Sequence, residues 1–264
     1  MELALDTLHL TVDDAGLARL VIDRPEAANA LDRQMSADIR TIAVALDSSR
    51  AARAVLVTAN GPIFCGGGDL RGFAESDDTF TLVSEMTIDL HAAIARLAKL
   101  DAPVVAAVSG AAGGAGMSLV AALDLVVAGE SAKFTMGYTK AGLVPDGSSS
   151  FFLARSVGYK RALDLALTNR VLSAAEAEEW GLVARVVPDG DVETEAEALA
   201  TQLAAGPTRT FGLAKRLILA GANSALEEAM ERESVSIAAA TRTADAAEGI
   251  EAFLAKRRPE FRGE

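Results

Sequence analysis

The chain has 264 residues, half of them apolar and only 5% aromatic, with a formal net charge of −12. This composition suits a globular α/β domain, or a main domain with a helical appendage, whose core is built from Ala, Val, Leu and Ile. So acidic a surface repels nucleic-acid phosphates and anionic membranes, which excludes both as expected partners.

The single cysteine, Cys65, allows no intramolecular disulfide, and the segment Met1–Asp6 carries acid rather than base. A cytoplasmic protein without a signal or transit peptide is therefore expected. Leu8–Val12 and Leu17–Ile22 are β-rich runs separated by Asp13-Asp14-Ala15-Gly16, which predicts a hairpin ending at Arg24-Pro25. Met35–Leu46 has helical spacing, and Ala54–Thr58 reads as a short buried strand. Phe80–Leu100 predicts a long amphipathic helix, after which Pro103 opens the strand Val104–Val108. Leu123–Ala128 reads as another buried strand. Short apolar strands alternating with helices indicate an α/β fold with parallel pairing.

One stretch imitates a membrane span: Val104–Leu123 holds twenty residues without a charge. It is dominated by Ala and Gly, has no aromatic at its ends, and lies between Asp101 and Asp124 rather than basic residues. It is read as a buried strand, a glycine turn and a small-residue helix. Beyond about residue 147 the patterning turns helical. Ser173-Ala174-Ala175-Glu176 forms a capping box that opens a helix ending near Gly181. Val183–Val187 follows as a short strand, then Glu193–Ala204, Thr208–Leu219 and Leu226–Thr241 as helices. The expected organisation is a main core over residues 1–200 and a C-terminal helical segment over 201–264, packed on the core or on a neighbouring subunit.

Two glycine clusters carry the chemistry. Gly66-Gly67-Gly68-Asp69 follows the Ala54 strand, and Gly113-Gly114-Ala115-Gly116 follows the Val104 strand and opens a helix. Glycine lets another molecule approach the backbone, and successive N–H groups can then point at one anionic oxygen. A helix N-terminus adds free N–H donors and a partial positive charge. Either cluster alone is more often a tight turn, and neither completes a dinucleotide fingerprint or a phosphate loop. Two in this order point to an oxyanion hole.

With Arg24-Pro25, Asn29-Ala30-Leu31, Phe64–Leu70, Pro103–Gly116, Asp124–Ala128, Gly142–Asp146, Trp180–Val183 and Glu248–Arg257, the chain resembles the enoyl-CoA hydratase/isomerase (crotonase) superfamily along almost its whole length. The resemblance implies an α/β crotonase spiral of ββα units with a C-terminal helical trimerisation region, and homotrimers that often pair into hexamers. It implies an acyl-CoA thioester as ligand and no cofactor beyond that coenzyme A moiety. It assigns the oxyanion hole to the N–H groups of Gly66 and Ala115. Ala28, Ala30, Gly67, Gly68, Asp69 and Leu70 match positions that line coenzyme A, and Phe253 and Lys256 match tail positions that reach the ligand, sometimes from a neighbouring subunit.

The departures bear on the reaction. Where hydratases of the superfamily carry two glutamates, this chain has Ser118 and Tyr138, which are poor bases near neutral pH. Asp146, in Gly142-Leu143-Val144-Pro145-Asp146, matches the acid that shuttles a proton in the isomerase branch, closest to isomerases of phenylacetyl-CoA catabolism. From local sequence alone Asp146 reads as a helix N-cap ahead of Gly147-Ser148-Ser149-Ser150. Tyr138, Ser118 and His91 are candidate acyl-pocket residues, although His91 also reads as a helix-surface histidine. Cys65 reads as packing, and two isolated histidines give no zinc site. The expected activity is an acyl-CoA isomerase, acting on an enoyl-CoA or a ring-epoxide aryl-acetyl-CoA. The alternatives are a hydratase with atypical residues, dehalogenase-like nucleophilic chemistry at Asp146, and a non-catalytic thioester binder.

Overall fold

The computed structural model describes residues 1–264. Its first strands, β1 (Glu2–Ala4), β2 (Leu8–Val12) and β3 (Leu17–Ile22), form an antiparallel meander. Leu8 and Leu10 on β2 and Leu20 and Ile22 on β3 alternate into the core. The Asp13 carboxylate closes the turn between β2 and β3 by accepting the N–H groups of Ala15 and Leu17, each at 3.0 Å. Helix α1 (Arg33–Ser49) starts where Asp32 accepts the Met35 N–H at 2.8 Å.

From β4 (Ala54–Ala59) onward the large sheet is parallel. The chain passes through α2 (Leu70–Glu75), α3 (Thr79–Leu97), β5 (Val104–Val108), β6 (Ala111–Gly113), α4 (Ala115–Ala122), β7 (Leu125–Gly129) and β8 (Lys133–Thr135). It continues through α5 (Phe152–Val157), α6 (Tyr159–Thr168), β9 (Leu172–Ser173), α7 (Ala174–Glu179) and β10 (Arg185–Val187). The large sheet has seven strands in the order β1-β2-β3-β4-β5-β7-β10, and a second sheet has three in the order β6-β8-β9. Single bridges, Leu31 to Gly68 and Cys65 to Ala112, continue the pattern of the small sheet. The four turns that start at β3, β4, β5 and β7 thus each give one strand to the large sheet, one short extended piece on the side of the small sheet, and then a helix. This is the ββα spiral that the resemblance implied.

The uncharged run Val104–Leu123 divides into β5, β6 and α4, and all eight residues of α4 are buried. No helix is long and apolar enough to cross a membrane. The main core of 46 buried residues holds Phe64, Phe134 and Met117 and takes in the inner faces of α1 and α3. A second cluster of 11 lies on the other face of the sheet, where α8 (Val192–Ala204) lays down Val192, Ala196, Leu199 and Ala200 at helical spacing. Helix α8 runs unbroken past residue 200, so the helical appendage starts after it with α9 (Thr208–Gly221), α10 (Leu226–Ala240) and α11 (Ala244–Leu254). Lys215 of α9 docks against Asp124 at 2.6 Å, whereas α10 buries no residue.

Candidate active site

The spiral brings the two glycine clusters into backbone contact. Cys65 N–H donates to the Ala111 carbonyl at 3.2 Å, and Gly113 N–H donates to the Cys65 carbonyl at 2.9 Å. Gly67 has φ +105°, and a methyl group there would lie 2.9 Å from the Gly113 carbonyl oxygen. At Gly116 it would lie only 2.3 Å from the Cys65 carbonyl oxygen. These glycines are therefore fixed by the close approach of two strand ends as well as by any ligand.

The N–H groups of the first turn are not equivalent. Gly66 N–H donates to the Ala28 carbonyl at 2.9 Å, so it is already spent and cannot serve as the oxyanion donor expected of it. Leu31 N–H donates to the Gly67 carbonyl at 2.7 Å, and Asp69 N–H donates to the Leu31 carbonyl at 2.8 Å. That bridge turns the Gly68 N–H away from Leu31, and no backbone carbonyl takes it. The available donor of this turn is Gly68, two residues beyond the expected one. In the second turn, Ala115 is the first residue of α4, so its N–H has no carbonyl to meet within the helix. Gly114, at φ 50°, supplies the bend before it.

Gly68 and Ala115 both border a cavity of about 380 Å³. Its apolar wall comes from Val83, Met86 and Leu90 of α3, with Phe73 of α2 and Leu143 and Val144 of the loop after β8. Among the lining residues the only ionisable side chains are Tyr138 and Asp146. The Asp146 carboxylate caps no helix: α5 starts without a side-chain cap. Instead its Oδ1 lies 2.6 Å from Nε2 of His91 on α3. Helix spacing cannot reveal a partner 55 positions away, so the sequence alone marks His91 as no more than an acyl-pocket candidate.

Tyr138 and Ser118 also come together, with Tyr138 Oη and Ser118 Oγ 3.0 Å apart. Tyr138 Oη donates to the Asp146 carbonyl at 3.2 Å. Burial pushes the Tyr138 phenol up to about 12, with the Asp146 charge adding to the rise and Ser118 opposing it, so the phenol stays a hydrogen-bond donor. Ser118 is fully buried and lies behind the cavity wall. Burial likewise pushes the Cys65 thiol up to about 12, against the Gly67 N–H, which rules for packing over nucleophilic chemistry.

Ala28 and Ala30 support the first turn through their carbonyls: Ala28 takes the Gly66 N–H, and Ala30 accepts from the Arg24 guanidinium at 2.8 Å. The same guanidinium pairs with Asp69 at 2.9 Å and Asp32 at 3.2 Å. Burial alone would raise the Asp69 carboxyl, but the Gly72 N–H and Arg24 outweigh it and hold it below its ordinary value. Asp69 thus caps α2 and anchors the turn, while Leu70 is exposed at the cavity rim. Phe253, at 82% exposure, and the exposed Lys256 do not line this chain's own cavity.

Comparison with known proteins agrees with this architecture. Residues 13–264 match the family model described as enoyl-CoA hydratase/isomerase. A 1,2-epoxyphenylacetyl-CoA isomerase of Escherichia coli (strain K12) is 37% identical over 252 residues, covering 95% of this chain and 96% of the relative. A 4-chlorobenzoyl coenzyme A dehalogenase-2 of an Arthrobacter species is 35% identical, covering 94% of this chain and 91% of the relative. The crystal structure of an enoyl-CoA hydratase from Polaromonas sp. JS666 superimposes with a TM-score of 0.90 at 34% identity, covering 97% of this chain and 99% of that one. Over nearly its full length, in sequence and in fold, the chain belongs to the enoyl-CoA hydratase/isomerase family.

Proposed function

We propose that the chain is an isomerase that moves a double bond in an enoyl-CoA, or rearranges a ring-epoxide aryl-acetyl-CoA, through a thioester enolate. The thioester oxygen accepts hydrogen bonds from the N–H groups of Gly68 and Ala115. Donors fixed at that oxygen stabilise the charge that develops as a proton leaves the adjacent carbon. Asp146 takes that proton and returns it further along the chain. The observation that carries this reading is that Asp146 is the only carboxylate on the cavity that both turns border.

A hydratase needs a base to activate water. By the resemblance, Ser118 and Tyr138 stand where the superfamily's carboxylates stand; a serine hydroxyl and a phenol pushed up to about 12 are not bases at neutral pH. The likeness to the E. coli isomerase supports the same choice. The test is conjugation of a 3-enoyl-CoA, followed by absorbance, with Asp146→Asn alongside. The variant should lose at least about 100-fold in kcat; equal rates would sink the assignment of the base.

The His91–Asp146 contact favours one second reading. A carboxylate could displace chloride from an aryl carbon, and the adjacent imidazole could then activate the water that hydrolyses the aryl ester. The likeness to the Arthrobacter dehalogenase supports it. Chloride release from 4-chlorobenzoyl-CoA, measured beside the isomerase assay, separates the two.

The apolar residues exposed on α10 and α11, among them Val235, Ile237 and Phe253 at 61%, 70% and 82%, support self-association through the C-terminal helices. A homotrimer or a hexamer is the proposed assembly.

A further inference from the structure

Asp146 stands in a wall shared by two cavities. On one side is the apolar cavity that both glycine turns border. On the other is an outer cavity of about 400 Å³, lined by His91, Ser148, Ser150, Phe151 and Phe152 among others. His91 lines only the outer one. Its side chain is 51% exposed and that of Asp146 is 30% exposed, so solvent reaches this side of the pair.

The carboxylate has two oxygens, and the His91 contact makes them unequal. Oδ1 is held by His91 Nε2 at 2.6 Å, while Oδ2 takes no hydrogen bond from the chain. With Nε2 donating, a proton arriving on the carboxyl must sit on Oδ2. Resting on the reading above, we propose that His91 acts as a positioning residue that closes the solvent side of Asp146, so that the proton taken from the acyl chain is handed back to it instead of exchanging with water.

For a 3-enoyl thioester the atoms balance within the substrate. The bond from C2 to hydrogen breaks and its electron pair enters the dienolate. The proton waits on Oδ2, the double bond moves to C2–C3, and a new bond to hydrogen forms at C4. While the enolate lives, the carboxyl proton exchanges only if water reaches it. Without the imidazole, Oδ1 opens to the outer cavity and exchange competes with return.

The experiment is isomerisation of a 3-enoyl-CoA in D2O by the full-length protein, with deuterium at C4 read by mass spectrometry. Wild type, His91→Ala and His91→Gln are compared. Wild type should place mostly protium at C4. His91→Ala should raise deuterium content several-fold with KM within about threefold of wild type. His91→Gln, whose amide can still donate to Oδ1, should restore most of the protium transfer. Nearly complete deuteration by wild type overturns the inference, as does unchanged deuterium content in His91→Ala or equal exchange in both variants. These outcomes leave the isomerase reading standing. A wild type that fails to conjugate the substrate overturns that reading and this inference with it.

Discussion

In the proposed oxyanion hole Ala115 acts through its backbone alone, which makes that role separable from its side chain. It stands at the first position of α4, where proline is tolerated because that N–H is not needed by the helix. Ala115→Pro should therefore keep the fold and delete one hydrogen bond to the thioester oxygen. The expected loss is about 100- to 1,000-fold in kcat, the scale of removing one oxyanion donor, with an unchanged circular dichroism spectrum. A fall in kcat of less than threefold would remove Ala115 from the hole. At the same scale, the choice between Gly66 and Gly68 turns on one acceptor, the Ala28 carbonyl. Ala28 is itself at φ 55°, a strained backbone for alanine held by its neighbours in the first turn. No reading of Gly66-Gly67-Gly68 in isolation reveals which N–H that carbonyl consumes.

At the scale of elements, the capping box at Ser173 was legible and the strands of the small sheet were not. The box at Ser173 is present: Ser173 Oγ accepts the Glu176 N–H at 3.3 Å, and the Glu176 carboxylate accepts the Ser173 N–H at 3.0 Å. Ser173→Ala should cost about 1 kcal/mol in urea unfolding. Glu176 is held at about 2 against an ordinary 4.5, first by the Ser173 N–H and then by Arg170 and the Ser173 hydroxyl. A depressed carboxyl stabilises the fold fully above pH 4.5 and loses that contribution as pH falls toward 2. Glu176→Gln should therefore be less stable than wild type at pH 7, with the difference shrinking by pH 3; a constant difference would contradict the linkage. By contrast, β6, β8 and β9 span three residues or fewer each, too short for period-two alternation to show. They exist because the spiral brings them edge to edge.

Across the whole molecule, the appendage is tied to the core by charge at α9 and left open at α10. Burial raises the Asp124 carboxyl, and the Lys215 ammonium opposes it. Lys215 also donates to the Ala102 carbonyl at 3.2 Å, while Asp124 accepts the Val104 N–H at 2.7 Å. Lys215→Met should leave a mostly buried carboxylate unpaired and cost about 3 kcal/mol. Because the Asp124 carboxyl is raised in the folded state, the defect should ease as pH falls and that carboxylate is protonated. Thermal unfolding at pH 7 and pH 5 measures both effects. Helix α10 exposes Met230, Val235 and Ile237. Sedimentation of the wild type should give a trimer or hexamer, and Ile237→Lys should shift it toward monomer. A monomeric wild type at micromolar concentration would contradict the proposed assembly.

The sequence by itself determined the alternation of strands and helices, the two glycine turns, and the absence of a carboxylate at Ser118 and Tyr138. All of these depend on local spacing and residue type. It also placed Asp146 among the residues of interest through the run Gly142–Asp146. Tertiary structure decided what those residues face. It gave Asp146 the imidazole of His91 instead of a helix terminus, and spent the Gly66 N–H on Ala28. It also kept Phe253 away from its own chain's cavity. The reason is physical: a free donor or a free carboxylate oxygen is defined by its partners, and in a spiral fold those partners come from distant parts of the chain.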